Sequence, residues 1–362
     1  MTGTRRWNPL NTPFLIGTLA LAVVLVPIQI VRSHALVFEL AVCAGMYTAI
    51  GLSIAAGYHR LFSHRAYRAH WLLRFLLLSF GAAAFQNSAL RWSSDHRVHH
   101  RHVDTDQDPY TIKKGFWHAH WIWVMESSSH PLKGVADLEA DPLVRWQHRH
   151  HFLIGAVVAL IPAAIGLATH NLYGHLVIGL LLRIVLTHHS TFLINSAAHV
   201  FGTQPYTDAN TARDNGLLAP LTFGEGYHNF HHMWPGDYRN GIRWYQWDTA
   251  KWLLVALSWV GLADKLRRIP DEVIQRAKLA MEEKRLTARL ATAHPSVAEE
   301  LRTRLASARQ RMDHALVALQ EQRESLKTHR DEWRTAMLKR RAEVQMAWAE
   351  WKATRFLVRR LA

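Results

Sequence analysis

The sequence predicts an all-α fold in which four membrane-spanning helices precede a charged, helical C-terminal arm. Three observations predict it. Apolar residues gather into four long runs, each roughly the length needed to cross a hydrocarbon core of about 30 Å. Histidines cluster at the ends of those runs and in the loops between them. Beyond Arg268 the long apolar runs stop and charge takes over. A mean hydropathy of −0.09 averages over two unlike parts. They divide the 362 residues into an expected membrane domain, 1–268, and an expected arm, 269–362.

The spans are expected at about 14–31, 35–57, 152–169 and 176–194. The first follows Arg5 and Arg6 and has no small-residue cleavage site after it, and the second begins almost at once. The pair therefore reads as a retained hairpin rather than a signal peptide. Pro162 is a tolerable kink in the third span. Arg32 is the only Arg or Lys between the first two spans, and 170–175 has none. The stretch from Arg60 to Arg149 is dense in both, so the positive-inside rule puts it and both termini in the cytosol. Trp71 to Leu90 is apolar as well. A crossing there would separate the histidines on its two sides by a bilayer, so it reads as a re-entrant or interfacial helix. The aromatic-rich segment from Trp244 to Trp259 reads as a second interfacial helix.

The only cysteine, Cys43, excludes a disulfide framework, a CxxC zinc site and a thiolate iron–sulfur cluster. Any metal must be held by nitrogen or oxygen. A net charge of +15 is compatible with nucleic acid, but no nucleic-acid motif accompanies it. With spans present, the bilayer surface is the expected partner of that charge.

Four of the 25 histidines' groupings carry the chemistry. They are His59-Arg-Leu-Phe-Ser-His64, His96-Arg-Val-His99-His100, Asn195-Ser-Ala-Ala-His199 and His228-Asn-Phe-His231-His232. Residues at i, i+3 and i+4 of a helix share a face, so each HX2HH box turns three imidazoles one way. Together the groups offer nine imidazoles, enough for two ions. Imidazole suits iron, zinc, copper and nickel alike. Metal-bound histidines usually donate their other N–H to an oxygen acceptor. Asp95, Asp104, Asp108 and Glu225 stand close enough in sequence to serve, as does Asp106. His102, His118, His120, His148, His150 and His151 read as surface residues or as supports behind the ligands. His188, His189 and Arg183 read as satisfied groups inside the fourth span.

In order, HRLFSH, FQN (Phe85 to Asn87), DHRVHH, Asp108-Pro109, DLEADPL (Asp137 to Leu143), NSAAH and GEGYHNFHH resemble the membrane stearoyl-CoA (Δ9) desaturases over roughly residues 40 to 265. The segment from Asp237 to Asp248 looks like the bacterial branch. The resemblance implies four transmembrane helices under a cytosolic helical cap that holds a diiron site. It implies His59, His64, His96 and His100 on one iron, with Asn195 reaching it through a water. It implies His99, His199, His228, His231 and His232 on the other. It also implies an O2-dependent reaction that removes two hydrogens from adjacent methylenes of a saturated long acyl chain, leaving a cis double bond at the Δ9 position. Gln86 and Thr191 match positions near the kink of the family's substrate tunnel, and Asn87 and Trp92 match positions near its mouth. Tyr47 faces the region where side-chain size sets tunnel depth.

Two departures bear on partners. Where animal members place basic residues for CoA phosphates, this chain has Ser94, Ser128 and Ser129. Serine is a weak phosphate ligand beside arginine or lysine. The acyl carrier is therefore open among CoA, with Arg91, Arg97, Lys113 or Lys114 compensating, an acyl carrier protein and a phospholipid. No HPGG motif of a fused cytochrome b5 occurs, so an external donor is expected: a ferredoxin, a rubredoxin, a cytochrome b5 or a flavin reductase. The resemblance places the protein in a bacterial inner membrane, or in the endoplasmic reticulum of a eukaryote.

In the arm, Leu301, Leu305, Ala308, Met312, Ala315, Leu319, Gln322, Leu326 and Trp333 alternate by four and three, which predicts a coiled-coil seam. Leu286 and Leu290 offer a return stripe for a helical hairpin. Lys339 to Arg341 and the aromatics Trp348, Trp351 and Phe356 suggest contact with a membrane surface or a partner. Two other function classes compete. A membrane diiron hydroxylase would use similar boxes and insert oxygen. A metal transporter or sensor would line its spans with ligands through their depth, whereas these clusters gather at one face.

Overall fold

The computed structural model describes residues 6–126, 131–291, 295–325 and 333–361. Four of its helices are long and apolar enough to cross a membrane. In chain order, α1 (Asn11–Arg32) and α2 (Leu36–Ser63) form a hairpin. α3 (Trp71–Ala82) and α4 (Ala89–His102) follow. α5 (Pro142–Ala168) and α6 (Leu172–Val200) complete the four. Two short helices, α7 (His228–Met233) and α8 (Thr249–Trp259), close the unit. The described sheet is a single antiparallel pair, β1 (Arg68–Ala69) with β2 (Ala263–Asp264).

The long helices outrun their apolar runs, and the extensions bear on the site. α2 continues as a wider π-helix over Ser53–Ser63, with every residue of that segment buried. His59 therefore stands inside the helix rather than in a loop after it. α5 starts at Pro142 because Asp141 caps it, its carboxylate accepting from the backbone N–H of Leu143 and Val144 at 3.0 and 3.3 Å. It breaks at Leu160, and Pro162 sits in the first turn of the segment that resumes.

α3 shows why an apolar stretch between two histidine boxes need not cross. Its 12 residues extend about 18 Å at about 1.5 Å per residue, well short of a 30 Å core. The chain then reverses through Phe85 and Asn87, both with positive φ (53° and 77°). Ser88 caps α4, its hydroxyl accepting from Arg91 N–H at 3.2 Å. The second box thus returns to the level of the first. Of the aromatic segment from Trp244 to Trp259, only Thr249–Trp259 is helical; Trp244, Tyr245 and Trp259 are exposed.

Buried apolar residues of α2, α3 and α4, with Phe223, Ala250 and Leu254, make one continuous core. A polar staple sits at the opposite end of α2 from the histidines. The fully buried Glu39 accepts from Gln29 Nε2 (2.9 Å), Ser33 Oγ (2.6 Å) and Asn171 Nδ2 (2.7 Å). It joins the α1–α2 turn to the α5–α6 turn. A Cβ on Gly174 would fall 2.1 Å from Glu39 Oε1, which explains a glycine there. His118 and His120 are buried rather than at the surface. The His120 ring lies 2.9 Å from Ser196 Oγ and 3.0 Å from His189 Nδ1. His188 Nδ1 donates to Ile184 O at 2.9 Å, and Arg183 Nη1 to Ala83 O at 2.8 Å.

The chain divides into two compact units. One is Met1–Gln204 with Ala209–Arg268, and the other is Pro205–Asp208 with Ile269–Ala362. The second unit, taken by itself, holds α9 (Asp271–Leu290), α10 (Pro295–Ser325) and α11 (Trp333–Leu361), three helices where a hairpin is expected. Its core joins Leu279, Leu286 and Leu290 to Leu301, Leu305, Ala308, Met312 and Leu316, with Trp351 and Val358 of α11. Leu316 replaces the expected Ala315 in the seam, because a straight helix drifts from a strict heptad. Gln322 is half-buried, Leu326 lies outside the described residues, and Trp333 opens α11.

Replacing Glu39 by Ala leaves one buried donor, Gln29, and two half-buried donors, Ser33 and Asn171, without their acceptor. Thermal unfolding in detergent should then show a loss of stability on the order of 3 kcal/mol, while metal content per folded chain stays unchanged.

Candidate metal centre

The two HX2HH boxes lie on α4 and on α7, and each divides in the same way. A residue and the one four later share a row along a helix, while the one between them points to the side. On α4, His96 and His100 form the row and His99 diverges. On α7, His228 and His232 form the row and His231 diverges. The helices face each other so that each divergent ring joins the other helix's row. The result is two groups whose donor nitrogens lie within 4.8 Å of one another: His59, His64, His96, His100 and His231, and His99, His199, His228 and His232. This corrects the ligand division that the resemblance implies, since His231 stands with the first group. Its Nε2 is 2.9 Å from both His59 Nε2 and His100 Nε2.

Four of the outer nitrogens face oxygen. His99 Nδ1 donates to Asp108 Oδ1 at 2.9 Å. His59 Nδ1 lies 2.8 Å from Glu225 Oε2, and His96 Nδ1 lies 3.2 Å from the Tyr110 hydroxyl. His199 Nδ1 donates to Thr211 Oγ1 at 2.8 Å, and Thr211 in turn donates to Asp104 Oδ1 at 2.7 Å. With the proton held outside, Nε2 of each ring points inward as a lone pair. Inside, Nε2 atoms approach in pairs at 2.8 Å (His64–His96), 3.1 Å (His199–His228) and 3.2 Å (His99–His232). Where both nitrogens present lone pairs, as metal ligands do, such distances call for a cation between them. An ion with metal–nitrogen bonds of about 2.0–2.1 Å places neighbouring nitrogens about 2.9–3.3 Å apart. The residues therefore fit two transition-metal ions, and the donor set alone does not choose among them.

Burial supports the same state of the ligands. It pushes His64, His96, His100, His228, His231 and His232 well below the ordinary histidine range, and neighbouring imidazoles add to the effect. These rings are neutral and ready to coordinate at physiological pH. Burial opposes ionisation of Glu225, yet the His59 ring and the Arg60 guanidinium outweigh it and hold the carboxyl below the usual range.

Asp95 is a correction. It is adjacent to His96, and neighbouring residues on a helix do not face the same way. Its Oδ1 turns toward Arg91 Nη1, 3.9 Å away, and burial pushes its carboxyl up to about 6. Asp104 also stands one step further out than expected, behind Thr211.

Four participants escape a reading of motifs: Tyr110, against His96, and three more. Arg60, inside the first box, is 1% exposed and binds Glu225 through Nε (3.1 Å) and Nη2 (2.8 Å). Asp248 receives Arg60 and the backbone N–H of Asn240 and Gly241. Thr211 links His199 to Asp104. Only Arg60 offers a signal in sequence, as a charge at the end of a membrane helix that needs a partner.

A cavity of about 880 Å³ reaches the histidines, with His59, His96, His99 and His228 in its wall. Gln86, Asn87, Trp92, Thr191 and Asn195 also line it. Gln86 Nε2 donates to Thr191 Oγ1 at 2.9 Å and ties the α3–α4 turn to α6. The Trp92 ring stacks on His96 with centroids 4.8 Å apart. Tyr47 stands behind the wall, one helical turn beyond Gly51. Its hydroxyl donates to Leu221 O at 2.6 Å, and its ring packs on Phe223. Phe223 in turn lies on Gly51, where a Cβ would meet the ring at 2.0 Å.

A sequence model described as fatty acid desaturase matches residues 33–260. Over 243 residues the chain is 44% identical to a probable acyl-CoA desaturase of Schizosaccharomyces pombe, covering 66% of this chain and 51% of that one. Over 245 residues it is 43% identical to acyl-CoA desaturase 1 of Saccharomyces cerevisiae, covering 66% and 48%. Over 276 residues it is 34% identical to stearoyl-CoA desaturase 5 of Bos taurus, covering 73% and 81%. The chain thus spans about half the length of the two yeast relatives. Further relatives are named for Δ11 and Δ12 desaturation.

Glu225→Gln and Asp108→Asn should each weaken metal binding by about 10- to 100-fold, read by metal analysis after equilibration against a chelator. Asp95→Asn, which removes no contact to a histidine, should retain the ordinary metal content.

Proposed function

The chain belongs to the fatty acid desaturase family, and from that premise we propose that it introduces a cis double bond into a long saturated acyl chain carried on CoA. The observation that carries the reading is the meeting of the two histidine groups with a single cavity. The reaction consumes O2, two electrons and two protons. Two hydrogens leave neighbouring methylenes, a carbon–carbon double bond forms, and two waters are released. Two iron ions, held by the five-histidine and four-histidine groups, would supply the O2-derived oxidant.

The protein's own part is placement. About 880 Å³ lies within the range of about 300–1,000 Å³ usual for ligand sites. The Gln86–Thr191 bridge crosses the cavity's path and bends the acyl chain, so that chosen methylenes pass the histidines. Tyr47, Phe223 and Gly51 close the deep end and limit chain length. Trp92 and Asn87 flank the route from the mouth. Asn195, in the cavity wall four residues before His199, would reach a metal through a water. Closure by these side chains keeps bulk water from the oxidant.

The mouth favours CoA despite the serines. Arg91, Arg101, Lys114 and Lys133 line it and offer cationic donors to phosphate. Arg97 is committed elsewhere, to Asp137 and to the carbonyls of Phe62, Ser63 and Gly134. Ser94 is occupied too, since its hydroxyl accepts from Lys133 N–H at 2.8 Å. Ser128 and Ser129 lie outside the described residues.

The Δ9 position follows the resemblance to stearoyl-CoA desaturases. Electrons come from a separate protein, either a ferredoxin, a rubredoxin, a cytochrome b5 or a flavin reductase. Residues 1–268 form the catalytic membrane domain and 269–362 an appended arm. The dense Arg and Lys between the second and third spans put the metal face and both termini in the cytosol. The bilayer is a bacterial inner membrane, and the same topology serves in the endoplasmic reticulum.

Expression in a host fed saturated fatty acid, with His231→Ala as control, tests the reading. Mass spectrometry of acyl thioesters and intact lipids should show a new monounsaturated chain, absent in the control and appearing first in the CoA pool. A first appearance in phospholipid or on acyl carrier protein would contradict the carrier. A product that gains one oxygen, instead of losing two hydrogens, would assign hydroxylation.

A further inference from the structure

α11 is apolar on two opposite faces. One face, with Met337, Trp351 and Val358, is buried within its unit. The other carries Leu338, Met346 and Phe356, which are 64%, 65% and 60% exposed. Ala342, Ala349 and Ala353 fill the three- and four-residue spacing between them. A helix that packs on one side only needs one apolar stripe. A second stripe, with Leu338 and Met346 in the open, marks a surface that another body covers.

Charge identifies that body. Residues 333–361 hold eight Arg or Lys against two Glu. Arg340 pairs with Glu343 and Arg355 with Glu282. Among the described residues, Lys339, Arg341 and Lys352 have no carboxylate partner. By helical spacing they flank the exposed stripe on its two sides. Bulky apolar side chains set between unneutralised cations match a bilayer surface. The apolar groups enter the boundary between headgroups and acyl chains, and the cations meet phosphate.

We infer that the exposed face of α11 docks on the anionic headgroup surface of the bilayer, through Leu338, Met346 and Phe356 with Lys339, Arg341 and Lys352. Two observations favour lipid over a second copy of the chain. Four helices long and apolar enough to cross a membrane keep a bilayer at hand. A twofold pairing of this face with itself would set the cations flanking the stripe on one copy against those on the other, like charge on like charge. The family match ends at residue 260, so the device lies outside the segment that defines the family and does not depend on the proposed reaction.

The test uses the full chain, one copy per lipid nanodisc, and hydrogen–deuterium exchange of the 338–356 amides. Exchange should slow on the order of tenfold in discs containing phosphatidylglycerol relative to discs of phosphatidylcholine alone. Lys339→Glu/Arg341→Glu/Lys352→Glu should return it to the phosphatidylcholine rate. Leu338→Gln/Met346→Gln/Phe356→Gln should do the same, with helix content by circular dichroism and metal content unchanged in both variants. Equal exchange in the two lipids would overturn the inference. So would protection that survives both sets of substitutions, or protection that appears only with two copies per disc.

Discussion

The structure depends on one electrostatic constraint: nine imidazoles share a buried space with their bare nitrogens turned inward. Four of the rings have Nδ1 against an oxygen of Asp108, Glu225, Tyr110 or Thr211. With the proton held there, the inner nitrogens can only accept. Where the inner nitrogens meet as lone pairs at about 3 Å in a low-dielectric site, a cation between them is favoured. Folding and metal binding are coupled as a result. Ions held by these rings would tie α2, α4, α6 and α7 together.

The same constraint explains the charges behind the ligands. A carboxylate against an imidazole must itself be held in place. Glu225 is gripped by Arg60 and by Asn240 Nδ2 at 2.6 Å, and Arg60 is balanced in turn by Asp248. The chain of contacts runs from His59 to the start of α8, where Asp248 also caps the helix by accepting from Lys251 N–H at 2.9 Å. A buried network of this kind is stable only when every member is satisfied. The segment 237–251, far from the boxes in sequence, is thereby tied to the centre.

Much of this was legible in sequence, because membrane spans and histidine boxes are local signals. The four spans, the short α3 and the nine histidines could be read from composition and spacing. The placement of His231 could not. It depends on how α4 and α7 face each other, and a resemblance carried residue by residue does not hold that rotation. Asp95 adjoins His96 along the chain, but consecutive helical residues point apart in space. Thr211 and Asp248 were invisible because their partners are far away in the chain. The arm's seam was legible from Leu301 to Met312 and again at Leu319, with Leu316 buried where Ala315 is only half-buried.

The central claim is that the nine histidines form two ion sites, one of five ligands and one of four. Anaerobic titration of the purified, metal-free chain with ferrous iron, followed by Mössbauer spectroscopy, tests it most directly. Saturation is expected at about two irons per chain, with two distinguishable ferrous environments of nitrogen and oxygen ligation. Saturation at one iron, or a single environment at full occupancy, would contradict it.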